Sequence, residues 1–251
     1  MPDKLAILGV GISTASRSEV LKQTEDFLQG STQHFIATVN PEFLVLARKD
    51  DKFKRILNLA DLAVPDGFGL VIAGWLQQYR LRRFTGVDLL EQLCQIAAQQ
   101  NKPVFFLGGH ADVAKLTAER LGARIPNLQI AGAENGGEIN DPQATTSVVA
   151  RIFASKAALL FVALGHGKQE KWIYHHLDQL PAVKIAMGVG GAFDYLSGTV
   201  PRAPMYMRWL GLEWLYRAIQ QPWRWRRIVT AVVVFPALYL VSLFQQWTKK
   251  S

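Results

Sequence analysis

A single cysteine, Cys94, in 251 residues excludes an internal disulfide and any metal site built from several thiolates, and it suits a reducing compartment. The five histidines (His34, His110, His166, His175, His176) show neither H-E-x-x-H nor any other zinc spacing. No D-x-D pair follows an apolar strand, which speaks against an obligatory divalent metal. A G-x-S-x-G elbow is missing, so a serine hydrolase is disfavoured. No G-x-G-x-x-G opens a helix after a strand, and dinucleotide binding has little support. "GHGKQEKW" (165–172) fails the phosphate-loop pattern, because Val162 stands at the first glycine position and Gln169 follows the lysine. Internal repeats and low-complexity linkers are absent too. The opening "MPDKLAILGVGIS" carries too short an apolar run for a secretory leader and reads as a first strand.

Negative charge is scarce at one end of the chain. From Arg202 to Ser251 there are eight basic residues and one acidic residue, Glu213, giving +7 of the total +8. Five of the seven tryptophans (Trp209, Trp214, Trp223, Trp225, Trp247) lie there as well. The expected organisation is a near-neutral domain over 1–200 and a basic, tryptophan-rich helical appendage over 201–251. The break falls where "SGTVPRAP" (197–204) interrupts the pattern. Such a balance permits nucleic-acid binding. Here, however, the charge adjoins a long apolar run, which fits lipid better than a duplex, so no nucleic-acid partner is expected.

What is present is an alternation of short apolar runs with helical patterns. Strands are expected at 5–12, 34–39, 62–65, 104–108, 128–133, 158–165 and 183–190. Helices are expected near 18–29, 41–59, 68–80, 87–101, 111–122, 141–155 and 168–179. Near-continuous apolar strands alternating with helices predict an α/β, Rossmann-like, mostly parallel sheet with helices on both faces. Ligands in such sheets bind beyond the carboxyl ends of the strands. The segments expected there are rich in glycine and polar residues: "TVNPE" (38–42), "PDGFG" (65–69), "GGH" (108–110), "ENGGE" (134–138), "GHGKQEKW" and "GVGGAFD" (188–194).

Each candidate has a plain structural reading beside a chemical one. Asn40, Pro41 and Glu42 make a good helix start, with Asn40 as N-cap; Thr38, at the strand end, is not explained by capping. Asp66 is the sole charge in the apolar stretch "LAVPDGFGLVIAGW" (62–75). It could cap the following helix. Alternatively, Pro65 and Gly67 hold its carboxylate at a strand end, where apolar surroundings raise its pKa toward that of a general base at neutral pH. Thr85 and Asp88 read as a T-x-x-D capping box. Arg80, Arg82 and Arg83 are either a solvated face or a phosphate clamp, since a guanidinium forks onto two oxygens. Gly165 and Gly190 sit in turns that could present backbone N–H groups to an anion.

Four segments in order resemble the WecG/TagA/CpsF family of bacterial glycosyltransferases. They are "TVNPEFLVLA" (38–47), "PDGFGLV" (65–71) with "RRFTGVDLL" (82–90), "VALGHGKQEKWI" (162–173), and the run from Gly188 to Ile228 containing "GLEWLYR". The resemblance implies an inverting transferase that moves a sugar from a UDP-sugar to a polyprenyl-diphosphate-linked N-acetylglucosamine in cell-surface polysaccharide synthesis. N-acetylmannosamine is the first choice of sugar; its uronic acid, glucose and glucuronate stay open. The resemblance implies Asp66 as catalytic base. It puts Thr38, Asn40, Arg83 and Gln169 at the substrates; the residues themselves add Gly165, Gly190, Asp194, Arg202, Arg217 and Arg224 as further substrate-binding candidates. His166 stands where relatives often carry another residue. With neither a cofactor nor a metal expected, Arg83, Arg202, Arg217 and Arg224 would stabilise the departing diphosphate electrostatically.

"IVTAVVVFPALYLVSLF" (228–244) is 17 residues without a charge. At ~1.5 Å per residue it falls slightly short of a ~30 Å hydrocarbon core, and Pro236 should kink it. Tryptophans and arginines from Trp209 to Arg227 suit the headgroup layer, and residues 204–247 are the expected membrane-contacting stretch. The expectation is in-plane or partly inserted attachment to the cytoplasmic face of a bacterial inner membrane, ahead of a true span or of packing on the body. Self-association stays open.

Overall fold

Six parallel strands in the order β4-β3-β8-β7-β5-β6 form the central sheet of the computed structural model, which describes residues 3–137 and 141–248. The strands are β3 (His34–Val39), β4 (Leu62–Pro65), β5 (Val104–Gly108), β6 (Ile130–Glu134), β7 (Leu159–Ala163) and β8 (Ile185–Gly188). Glu138, Lys249, Lys250 and the side chain of Trp247, all weighed above, lie outside the described structure. The inner strands β5, β7 and β8 are buried at every residue and the inner strand β3 at all but His34, as expected of a sheet covered on both faces.

The first expected strand does not join this sheet. Residues 5–12 fold back on themselves as an antiparallel hairpin, β1 (Lys4–Ile7) with β2 (Val10–Ser13), packed beside β4. The turn residues Leu8 and Gly9 both have positive φ, +50° and +82°, the geometry that matches the twist of a two-residue hairpin. An apolar leucine at a turn position hides that signal in the sequence.

Two apolar cores flank the sheet. One holds α2 (Pro41–Ala47), α3 (Asp51–Leu59), α4 (Phe68–Leu76), α7 (Pro142–Ser155), α8 (Lys168–His176) and the inner face of the hairpin. The other holds α1 (Arg17–Gln29), α5 (Gly86–Gln99), α6 (Val113–Arg124) and α9 (Ala192–Leu196). Helix starts follow local chemistry. Ser16 and Glu19 close a reciprocal capping box on α1, and Asn40 and Thr85 accept the N3 amides of α2 and α5. The expected helix over 41–59 is divided because Asp50 caps a new one.

After β8 the chain forms α10 (Met205–Trp209), α11 (Glu213–Gln220) and then a continuous apolar helix, Pro222–Gln245. Within it, α12 (Trp225–Val229) passes through a π-helical turn (Thr230–Val234) into α13 (Phe235–Thr248). The π turn directly precedes Phe235-Pro236. Proline lacks an N–H and crowds the preceding turn, and the wider π turn is where the helix accommodates both effects.

Candidate active site

The strand order puts the ends of β4, β3, β8 and β7 side by side, so their loops share one rim. At the β4 end, the Asp66 amide donates to the Val39 carbonyl at 2.7 Å. Its carboxylate Oδ2 accepts from the Gly86 amide at 3.1 Å. Asp66 therefore does not cap α4, whose N-cap is Gly67 and which has no side-chain cap. Gly67 takes φ +141°, and a Cβ there would meet the Pro41 ring at 2.9 Å. Only glycine allows the chain to leave β4 in this direction. Burial pushes the Asp66 pKa up to about 6, against the pull of the Arg83 charge and the Gly86 N–H.

Thr38 sits beside this carboxylate. A Cβ built on Gly86 would lie 3.5 Å from Thr38 Oγ1 and 3.6 Å from Asp66 Oδ2. The Thr38 hydroxyl donates to the Gly188 carbonyl at 3.0 Å, tying β3 to β8 at the rim. Asn40 is the N-cap of α2, its Oδ1 accepting the Phe43 amide at 3.0 Å.

On the β7–β8 side, Gln169 is buried; its Oε1 accepts the Gly190 amide at 2.9 Å and its Nε2 donates to Glu170 Oε1 at 2.7 Å. Glu170 is fully buried, and burial pushes its carboxyl up to about 7. Gly165 and Gly167 both have positive φ, +92° and +76°. His166 lies edge-on to Phe43, and burial together with the Arg227 charge drives its pKa down to about 4, leaving a neutral imidazole at neutral pH. Glu42, its neighbour, is bound by Arg227 at 2.6 Å.

The C-terminal segment closes over this rim through ion pairs. Glu213 binds Arg83 at 2.7 Å and Arg202 at 3.2 Å, and Arg202 also reaches Asp88 at 2.8 Å and Thr85 Oγ1 at 3.2 Å. Asp88 is thus an ion-pair partner as well as a first-turn residue of α5. Arg217 and Arg224 share a single carboxylate, Asp194, at the longer distances of 3.8 and 3.7 Å. Arg217 also lies 4.9 Å over the Tyr195 ring, and a Cβ on Gly191 would run into its guanidinium. Desolvation and the Arg217 and Arg227 charges pull the Arg224 pKa down to about 10. The candidates thus divide into two groups. Arg83 and Arg202 are each held by a carboxylate at 3.2 Å or less, whereas Arg217 and Arg224 crowd one loosely held carboxylate beside the β8 glycine turn.

Sequence reasoning passed over Glu213, Glu170 and the Gly86 amide. The signal for Glu213 was its isolation as the one carboxylate of a +7 segment. Nothing local marks the other two. A cavity of about 490 Å³ opens between Phe68, Val71 and Leu81 on one side and Met205 and Trp209 on the other, with Arg82, Arg83, Arg202 and Arg208 among its basic lining. Among the described residues, no three His, Cys, Asp or Glu side chains come together as a metal-holding group.

Known proteins match most of the chain. The family model described as "Glycosyl transferase WecG/TagA/CpsF family" matches residues 5–250. A Bacillus subtilis (strain 168) protein named N-acetylglucosaminyldiphosphoundecaprenol N-acetyl-beta-D-mannosaminyltransferase is 36% identical, over 86% of this chain and 81% of its own length. Proteins of the same name from Bacillus spizizenii and Staphylococcus aureus (strain MRSA252) are 37% and 31% identical. The first match covers 81% of this chain and 78% of the relative, the second 99% and 96%.

Proposed function

The chain belongs to the WecG/TagA/CpsF family of glycosyl transferases, and from that premise we propose that it moves N-acetylmannosamine from a UDP-sugar to a polyprenyl-diphosphate-linked N-acetylglucosamine, with inversion at the anomeric carbon. The names of its relatives support both the sugar and the lipid-linked acceptor. The observation that carries the mechanism is the Asp66 carboxylate, fixed at the end of β4 by the Gly86 N–H and held near pKa 6.

Asp66 accepts the proton of the acceptor hydroxyl while that oxygen bonds to the anomeric carbon. The bond to UDP breaks on the opposite face, and its electron pair leaves on the diphosphate. A base with a pKa near 6 is ionised at neutral pH and still basic enough to receive a proton in the transition state. In this reading Thr38 and Asn40, at the neighbouring strand end, position the reacting sugars, Asn40 with the amide nitrogen that its capping bond leaves over. Across the rim, Gln169 fixes the Gly190 amide, and Gly165 lies in the adjoining turn.

The diphosphate charge falls to Arg217 and Arg224. Of the four arginine candidates these have the longest ion pairs, and their mutual repulsion is relieved when an anion enters. That supply of fixed positive charge is the basis for a metal-independent reading. Arg83 and Arg202, bound to Glu213, hold the C-terminal segment against the rim. The reading places the enzyme at the cytoplasmic face of the membrane, attached through residues 204–247 with its apolar helix. The test is transfer from a panel of UDP-sugars to a short-chain prenyl-diphosphate-N-acetylglucosamine, with chelator present. Product of inverted configuration from UDP-N-acetylmannosamine, lost in Asp66→Asn, is the expected result; chelator-sensitive transfer or a fully active Asp66→Asn sinks the mechanism.

A further inference from the structure

Helix α4 is apolar on both faces. Leu70, Ala73 and Gly74 face the core. On the outer side Phe68 (44% exposed), Ile72 (46%), Trp75 (74%) and Leu76 (44%) form a stripe, continued by Tyr79 (47%) in the turn that follows. A helix that is hydrophobic all round belongs in a core or in lipid. This one lies at the surface, with Pro41 of α2 and Phe235 of α13 beside its Gly69. A contiguous exposed apolar patch marks an interaction site.

Both parts of the C-terminal segment border this stripe. On one side, Tyr239 of α13 donates to the Ala73 carbonyl at 2.7 Å and accepts from Gln77 at 2.7 Å, and Phe235 lies near Gly69. On the other side, Phe68 packs at Gly211, and the cavity described above separates Phe68 and Val71 from Met205 and Trp209 of α10. The flanking elements are themselves exposed and apolar: Met205, Tyr206, Trp209 and Leu210 around α10, and Leu240, Val241 and Phe244 on α13. Along α4 and the turn after it the charge has one sign, although Asp88 lines the cavity and Arg83 is paired with Glu213. Residues 67–84 hold no acidic side chain and three arginines, Arg80, Arg82 and Arg83. Arg80 and Arg82 are exposed at the rim of the stripe, and Arg208 stands across the cavity.

We propose that α4, lying between α10 and α13, is a membrane-docking element of the catalytic body itself, with an anionic phospholipid bilayer as its occupant. Apolar rings flanked by arginines match the acyl and headgroup layers respectively. The continuity of the three apolar elements makes one sheet of lipid their common partner. In this pose the rim that carries Asp66 is held at the bilayer surface by the body as well as by the tail, and the arginine-lined cavity opens at headgroup depth. The inference rests on the reading of the C-terminal helix as membrane-attached, so the experiment tests the two separately.

Single cysteines are introduced into the full chain at Trp75 (α4), Leu240 (α13) and Phe153 (α7, toward the opposite sheet edge) and labelled with an environment-sensitive fluorophore. All three sites are exposed, and the native Cys94 is fully buried. Vesicles of phosphatidylethanolamine and phosphatidylglycerol are then added. The expected result is a blue shift, with quenching by nitroxide lipids, at positions 75 and 240 but not at 153. A response at 240 alone overturns the α4 proposal and leaves the tail reading standing; silence at both overturns both. A response at 75 that needs no lipid but grows with protein concentration assigns the stripe to self-association and likewise overturns it. As a second measure, the double variant Ile72→Glu/Trp75→Glu should weaken binding to these vesicles about tenfold or more. Its transfer to a soluble acceptor should be unchanged. Vesicle affinity equal to that of the wild type refutes the assignment.

Discussion

Replacing Asp66 with asparagine should make the protein more stable above pH 6 and nearly inactive. The side chain keeps its shape and an acceptor for the Gly86 amide, 3.1 Å from Oδ2, and loses its charge. The pKa of Asp66 rises from an ordinary 3.8 to about 6 on folding. The folded protein therefore holds this proton more tightly than the unfolded chain. Below pH 4 the carboxyl is neutral in both states and exacts no penalty. Between about pH 4 and 6 the unfolded chain ionises first, so stability falls as pH rises, and above 6 the penalty is complete. Two pKa units correspond to about 3 kcal/mol, an upper bound because the side chain keeps some solvent contact. Urea denaturation of wild type and variant from pH 4 to 8 measures the difference directly. The gap should be absent near pH 4, open through pH 6 and stay constant above it. Transfer by the wild type should rise through the same interval, and the variant should lose about 10²- to 10⁴-fold of its rate, the usual contribution of a general base. A stability difference that does not vary with pH would refute the burial argument; full activity in the variant would refute the role.

Three other substitutions probe how the site is held. Glu213→Gln leaves Arg83 and Arg202 short of a mostly buried counter-charge and should cost about 3–5 kcal/mol; limited proteolysis should then cut the segment after Arg202 faster. Gly67→Ala forces φ +141° on a residue with a Cβ and drives that Cβ against Pro41, so thermal melts should show a loss of about 1–3 kcal/mol, with transfer falling as Asp66 is displaced. Tyr239→Phe removes the bonds to Ala73 and Gln77 and should cost about 0.5–1.5 kcal/mol, read as easier proteolytic release of α13.

The parallel sheet was legible because its strands are unbroken apolar runs bounded by proline, glycine or polar residues. The ranges 34–39, 62–65 and 104–108 recur unchanged as β3, β4 and β5. The hairpin was not, since Leu8 shows nothing of its positive φ in its chemistry. Asp66 was conspicuous as a lone charge among apolar neighbours, and the structure sets it at the strand end beside Thr38. Its partner was hidden, because the Gly86 amide looks like any other backbone group. Glu213 was hidden for a different reason. Its bond to Arg83 joins residues 130 positions apart, and a single sequence holds no record of which distant charges meet. The stripe on α4 was visible only as hydrophobicity. That its outer face lies open could be learned only from what packs against the inner one.

In the proposed mechanism, the pairing of charges also bears on which arginines are free to meet the diphosphate. Six basic residues of the C-terminal segment come from its arginines, and an electrostatic argument from composition treats them alike. The fold does not. Glu213 engages Arg83 and Arg202 at 2.7 and 3.2 Å, and Glu42 engages Arg227 at 2.6 Å. Prying any of these apart to bind an anion would strand a carboxylate in a poorly hydrated place, at a cost that offsets the new contact. Arg217 and Arg224 would give up less, since their shared partner Asp194 is held only at 3.8 and 3.7 Å. They face one carboxylate at nearly 4 Å, and Arg217 Nη2 is buried without a hydrogen bond among the described residues. A diphosphate at the β8 glycine turn would satisfy that orphan donor and remove the repulsion between the two guanidiniums. On that proposal the same segment does two jobs with one residue type: Arg202 and Arg227 fasten it through ion pairs, and Arg217 and Arg224 are left for the charge that develops on the leaving group.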